Sequence, residues 1–264
     1  MSVLIVIPAR YASKRYPAKP LVQLKGADGT SKSLIQRSWE AALRVEHADR
    51  VVIATDHELI AQEVEAFGGE VVMTSPERRN GTERCAEVAE ALPQFETIVN
   101  FQGDAPLTPP WFVENLLTGL AQDSSAIMAT PVLRTNKATL ASFQEDRRHG
   151  RVGGTTAVIN ANGHALYFSK EVLPYTPTNW NGDGLPVFHH VGVYAFRREG
   201  LLKYGSLTET DLERREGLEQ LRFLYFGLPV LCVPVDARGH AFWELNNPED
   251  VSRVEAMLAQ NGMN

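Results

Sequence analysis

The sequence predicts an α/β fold: a mostly parallel, mixed sheet flanked by helices, with a smaller antiparallel part. Three observations carry this. Residues 3–7 form an uninterrupted apolar run closed by Pro8, which suits a strand covered on both faces. Strand-like and helix-like segments then alternate as far as residue 101, the pattern of right-handed crossover units. After about residue 120, short strand-like runs fall in neighbouring pairs, as an antiparallel or mixed extension requires.

Each element has its own signal. Residues 33–44 place Leu34, Ile35, Trp39, Ala42 and Leu43 on one helical stripe, and Ser33 can cap it three residues before Gln36. Residues 51–54 read as a buried strand, 58–67 as a helix ended by Gly68 and Gly69, 70–73 as a strand, 83–92 as a helix and 97–101 as a strand. Further on, residues 126–133, 151–159, 165–168 and 187–197 read as strands. Residues 213–226 return to helix and 230–234 to strand. A last helix spans 248–258, with Asn247 as cap and Pro248 at its first position. The stretch 174–186, rich in Pro, Gly and Asn, has no period and reads as a long surface loop. No repeat or linker divides the chain, which is read as one domain over 1–264 with halves at about 1–125 and 126–264.

Composition narrows the partners. With 264 residues and 44% apolar side chains, the chain can bury a proper core. A net charge of −6, without a continuing Lys/Arg stripe, argues against a nucleic-acid surface. No apolar stretch approaches the ~20 residues that cross a bilayer, so no membrane is expected. The N-terminus lacks a signal-peptide pattern, and Cys85 and Cys232 fit neither metal nor redox spacing, so a cytoplasmic protein is expected, with Cys85 buried in a helix.

Chemistry gathers after three strands, at the sheet edge where α/β folds bind ligands. After the first comes PARYASKRYPAKP (8–20), whose Arg10, Lys14, Arg15 and Lys19 are restrained by prolines. After the second comes Ala54-Thr55-Asp56, and after the fourth Gln102-Gly103-Asp104. Arginine forks and a lysine point charge suit phosphate oxygens. Asp104 beside a glycine suits Mg²⁺, which bridges one or two carboxylates to substrate phosphates, though a turn carboxylate fits the same spacing. Cations with a metal carboxylate and no Walker loop suggest nucleotidyl transfer. His189 and His190 lie in an apolar strand, where a histidine is commonly structural. Trp111, Trp180 and Trp243 suit structural or interface packing, or stacking on a base.

These stretches resemble the CMP-Kdo synthetases, the 3-deoxy-manno-octulosonate cytidylyltransferases. The matching pieces are IPARYASKRYPAKPL, ATD (54–56), GTER (81–84), VNFQGD (99–104), GHALYFSK (163–170), HHVGVYAFR (189–197), LEQLR (218–222) and NPEDV (247–251), in the family's order over nearly the whole chain. The resemblance implies a Rossmann-like nucleotidyltransferase fold that joins CTP and an acidic 2-keto-3-deoxy sugar with Mg²⁺, as a homodimer through the later half. It implies that Arg10, Ser13, Arg15 and Lys19 form the phosphate loop, and that Ala54, Asp56, Gly81, Thr82 and Gln102 line the cytidine pocket. Asp104 matches the metal ligand, with Asn246 at the second metal position. His190, Glu216 and Gln220 match residues facing the sugar, with Tyr194 near them.

Departures from the family pattern are equally visible. Ala105 replaces a glutamate, Ala18 a glycine, Thr155-Thr156 a basic position, Lys170 an arginine and Asn246 an aspartate. An amide is neutral and offers one oxygen, so a weaker second metal site is expected. The sugar-side changes leave open a modified Kdo such as an 8-amino form, or another acidic sugar. The metal-side changes leave open a weakened nucleotide- or sugar-binding homologue. A metal-dependent glycosyltransferase would want a second aspartate near Asp104, which Ala105-Pro106 does not supply.

Overall fold

In a computed structural model, residues 2–12, 16–152, 154–177, 180, 185–240 and 243–264 are described. They form two compact units. The first comprises Met1–Glu114, Phe196–Gly205 and Ala237–Asn264, the second Asn115–Ala195 and Ser206–Asp236.

The first unit begins with β1 (Val3–Ala9), a 3-10 turn at Lys19–Leu21, the hairpin strands β2 (Gln23–Lys25) and β3 (Ser31–Ser33), and α1 (Leu34–Ala42). It continues through β4 (Arg50–Thr55), α2 (Glu58–Ala66), β5 (Val71–Met73), α3 (Gly81–Ala91) and β6 (Thr97–Phe101). Strands run in the order β5–β4–β1–β6, every pair parallel. Leu4, Ile5, Val6 and Ile7 are fully buried, as the unalternating run predicts. Parallel register sets Pro8 against Ala54 and Ala9 against Thr55, so the loops leaving β1 and β4 start at one edge. Ser33 caps α1, its hydroxyl accepting the Gln36 N–H at 3.3 Å.

The chain crosses to the second unit within α4 (Pro110–Gln122). There follow β7 (Met128–Arg134), α5 (Lys137–Arg148), β8 (Thr155–Ile159), β9 (Ala165–Ser169) and β10 (Phe188–His190). The chain returns to the first unit within β11 (Val193–Arg197), continuing as α6 (Arg198–Ser206). The second unit is completed by α7 (Asp211–Glu216), α8 (Leu221–Tyr225) and β12 (Val230–Pro234), and the first by α9 (Asp250–Gln260). In the second unit β7–β10–β8–β9 is an antiparallel ladder, with β12 added parallel to β7. The antiparallel part expected after residue 120 is therefore present.

The strand expected over 151–159 is confined to Thr155–Ile159, and four further boundaries differ for reasons the backbone shows. α3 starts at Gly81 rather than at 83, because Asn80 caps it by accepting the Glu83 N–H at 2.8 Å. The strand expected over 187–197 is two, separated where the Val193 N–H turns back to the Val191 carbonyl. The helix expected over 213–226 is also two, because Gly217 takes a left-handed φ of 61°. α9 begins at Asp250, and the Asn247 side chain does not cap it. Three helices, α4, α5 and α6, were not anticipated. In α5 only Leu140 and Phe143 are buried, too few for a visible stripe.

Candidate active site

The first cluster stands at the C-terminal ends of β1, β4 and β6. Two glycines let these ends close up. A Cβ on Gly103 would lie 2.8 Å from the Pro8 carbonyl oxygen, and one on Gly81 3.1 Å from the Pro8 ring. The buried Ser38 hydroxyl of α1 donates to the Gly103 carbonyl at 3.0 Å, holding the turn after β6 from below. Lys19 and Asp104, both called from the sequence, meet there: Nζ is 2.5 Å from Oδ2, each side chain largely covered. Gln102 donates to Asn100 at 3.2 Å and Asn100 to Thr82 at 3.4 Å, which draws Gln102, Thr82 and Gly81 together. Arg10 is exposed and donates to the Arg79 carbonyl at 3.4 Å. Ser13 and Arg15 lie outside the described residues.

Asp56 is organised by a residue whose role the sequence did not single out. Arg84 of α3, almost fully buried, donates to Asp56 Oδ2 at 2.9 Å and also to the Thr74 hydroxyl. The other oxygen of Asp56, Oδ1, is buried without a hydrogen-bond partner. Ala54 is fully buried in β4. Tyr11 stacks on His57 at 3.8 Å and 11°, tying the loop after β1 to the start of α2, where His57 Nδ1 accepts the Leu59 N–H. No motif marks this pair. Each of its members is commonplace alone.

Asn246 is placed through the backbone. The Leu245 N–H donates to the Asp104 carbonyl at 2.9 Å, which joins the backbone just before Asn246 to that of Asp104. The donor set fits Mg²⁺: one partly exposed carboxylate and one amide, beside an ammonium that suits the same phosphates. Among the described residues no group of three or more His, Cys, Asp or Glu side chains could hold a metal ion by itself.

The second cluster belongs to the second unit. His190 is buried and shares a 2.9 Å hydrogen bond with the Thr130 hydroxyl, whose hydrogen also has the Val193 carbonyl at 3.0 Å and the Val191 carbonyl at 3.3 Å. One hydroxyl hydrogen cannot serve a carbonyl and the ring together. With that hydrogen on a carbonyl, His190 Nε2 carries its own and donates. Burial, with His189 adding to it, lowers the His190 pKa to about 3, so the ring is neutral near pH 7 and offers the site no charge. Phe168 and Tyr194 pack against it at 5.0 and 5.7 Å. Tyr194 donates to Gln220 Oε1 at 3.3 Å, and the buried Gln220 Nε2 has no hydrogen-bond partner. Glu216 accepts from the Ser169 hydroxyl at 2.6 Å and the Lys170 N–H at 2.8 Å, fixing the end of α7 to β9. Burial first, then Glu216, raises the Tyr167 pKa.

Three of the departures can be placed in the structure. Ala18 adopts a left-handed φ of 54°, and its N–H closes the loop on the Tyr11 carbonyl at 3.1 Å. Thr156 is buried, donating to the Glu171 carbonyl at 2.7 Å and accepting the Leu173 N–H at 3.2 Å, a bond set no lysine could reproduce. The Lys170 ammonium lies over Gly217, 2.8 Å from where a Cβ would stand. Trp243 is structural, its indole donating to Asp250 at 3.0 Å beneath the Arg253 guanidinium. Trp111 meets Arg238 and His240. Both cysteines are buried, Cys85 as expected.

A cytidylyltransferase family model matches residues 4–230. The chain is 43% identical over 263 residues to the 3-deoxy-manno-octulosonate cytidylyltransferase of Maricaulis maris (strain MCS10), covering 99% of both chains. It is 40% identical over 255 residues to that of Chlamydia pneumoniae, covering 96% of this chain and 92% of the other. Among solved structures, a CMP:2-keto-3-deoxy-manno-octonic acid synthetase complexed with CTP superposes with a TM-score of 0.84 at 34% identity, covering 99% of this chain and 100% of that one.

Proposed function

We infer from the cytidylyltransferase family, to which this chain belongs, that it transfers CMP from CTP to 3-deoxy-manno-octulosonate (Kdo) or a closely related 2-keto-3-deoxy sugar acid, releasing pyrophosphate. The observation that best supports a role for this chain's own residues is the Lys19–Asp104 pair at the strand ends. A cation and a carboxylate held there suit a triphosphate and its counter-ion. Arg10 and Lys19, with Arg15, neutralise the triphosphate and the departing pyrophosphate. The anomeric hydroxyl of the sugar attacks the α-phosphorus in line, the bond to the β-phosphate oxygen breaks, and the hydroxyl proton is lost to solvent or a carboxylate. Phosphoryl chemistry of this kind needs positioning and charge more than covalency. Held by Asp104 with Asn246 beside it, Mg²⁺ would supply positive charge to the phosphate oxygens. Asp56, Gly81, Thr82 and Gln102 line the base pocket, where hydrogen bonds to the exocyclic groups select cytosine. His190, Tyr194, Glu216 and Gln220 face the sugar. Because His190 is neutral, this group recognises hydroxyls and carbonyls by hydrogen bonds rather than by cationic charge.

The test is a pyrophosphate-release assay with CTP, Mg²⁺ and Kdo. Asp104→Ala should slow release by about 10²- to 10³-fold, the usual loss when one charged group stabilising the transition state is removed. The variant should melt as the parent does, since Asp104 is partly exposed. Unchanged release would remove Asp104 from the metal site. Measurable CTP binding with no turnover of any 2-keto-3-deoxy sugar acid would favour a weakened homologue.

A further inference from the structure

We propose that Asp250 is a positioning residue for the phosphate end of the site, acting through residues 243–247. This rests on the reading that Asp104 and Asn246 face the metal and triphosphate. The Asp250 carboxylate gathers three donors from that segment: the Asn246 N–H at 3.0 Å and the Asn247 N–H at 2.7 Å on Oδ2, and the Trp243 indole at 3.0 Å on Oδ1. The turn is closed reciprocally, the Asp250 N–H donating to the Asn247 carbonyl at 3.0 Å. Asp250 is also the first residue of α9, where a negative charge is favoured by the helix dipole. Arg253, one turn further on, lies 3.4 Å over the Trp243 ring and pins its orientation.

The segment's other anchor is Leu245, fully buried among Leu24, Leu34, Leu107, Val254 and Leu258, whose N–H meets the Asp104 carbonyl. Asn246 therefore sits between two fixed points, the core on one side and Asp250 on the other. Its orientation matters more than an aspartate's would. A carboxylate offers two equivalent oxygens, so a rotation that misdirects one presents the other, whereas an amide has a single acceptor oxygen. Asp250 acts on Asn246 through its main chain, fixing the backbone from which the amide is presented, a second layer of support of the kind that orients metal-binding side chains.

The experiment measures Mn²⁺ binding to the full chain with saturating CTP by electron paramagnetic resonance, alongside thermal melting. Asp250→Ala should weaken Mn²⁺ binding about 10- to 100-fold, the loss typical when a partner orienting a metal ligand is removed. Asp250→Asn, which keeps one acceptor for the backbone donors, and Trp243→Phe, which loses a single bond, should fall between it and the parent. CTP binding without metal should be unaffected, a separation that mere loss of stability would not produce. Should Asp250→Ala not fold, the two milder variants decide by the same ordering. Parent-like Mn²⁺ affinity in the Asp250 variants, with Asp104→Ala clearly weakened, overturns the role of Asp250 alone. Parent-like affinity in Asp104→Ala as well removes the metal reading on which it rests.

Discussion

Ala18 occupies a backbone conformation that disfavours any side chain. Its φ of 54° is left-handed, which for a residue with a Cβ costs roughly 1–2 kcal/mol. The strain sits next to Lys19, inside a loop whose closure depends on the Ala18 N–H reaching Tyr11. Ala18→Gly should relieve it. Part of the gain is cancelled because glycine frees the unfolded chain by about 0.4–1 kcal/mol, leaving a net stabilisation of roughly 0.5–1 kcal/mol. Urea unfolding checks this, and a lower midpoint in the glycine variant would show that the loop tolerates Ala18 without strain. The departure at position 18 was visible in the sequence, but its conformation was not, since one residue's φ depends on the closure around it. The same limit explains which parts of the site were legible. Lys19 and Asp104 belong to motifs placed after apolar runs, and the parallel sheet brings such motifs to one edge. The Arg84–Asp56 pair and the Tyr11–His57 stack depend on how α3 and the β1 loop pack, which no local spacing records.

At the scale of elements, β10 carries the clearest pH dependence. Burial lowers the His189 pKa to about 4 and that of His190, with His189 contributing, to about 3. In the unfolded chain both return to about 6.5. Above that value neither state binds the proton and the histidines are silent. Below it the unfolded state takes up protons that the folded state refuses, so stability falls with falling pH, by up to about 1.4 kcal/mol per pH unit for each ring. Carboxylates held low in the fold, such as Asp123 by the Ser125 hydroxyl and then His164, lose their contribution only below about pH 4. Between pH 6.5 and 5 the two histidines of β10 therefore lower the stability of the fold. Urea midpoints should drop across that range, and equal midpoints at pH 7.5 and 5 would mean that the rings are hydrated in the fold. The position of β10 was only half legible. An apolar run around two histidines announces a strand, but the break at Val191 and Gly192 follows from backbone bonding to Pro131 and Val193, partners far off or newly turned. Likewise α1 is readable from its stripe and cap, while α7 and α8 merge into one expected helix over 213–226 because nothing local marks Gly217 as a left-handed stop.

At the scale of the whole molecule, the chain's path was the least legible feature. β11 and α6 carry it back to the first unit, and α9 completes that unit from the far end of the sequence, where its Val254 and Leu258 share a core with Leu24 and Leu34. Local periodicity marks elements but not which core each joins. Assembly poses the same problem, and here the surface provides an argument. β9 is the last strand of the β7–β10–β8–β9 ladder, and it presents Leu166 with 60% of its surface exposed. At the end of α8, Tyr225 and Phe226 are exposed as well. An outer strand bearing a large apolar residue is a liability unless another surface covers it, and in a closed symmetric pair each copy can cover the other. We therefore propose that the protein is a homodimer through the β9 edge. Light scattering should give twice the 29.2 kDa chain mass. Leu166→Lys should shift that mass to a single chain that remains folded by circular dichroism, because the side chain is already in water in the monomer, with the melting temperature falling only by what association supplied. A parent protein of single-chain mass would refute the dimer, and a variant that stays at the doubled mass would move the interface away from β9.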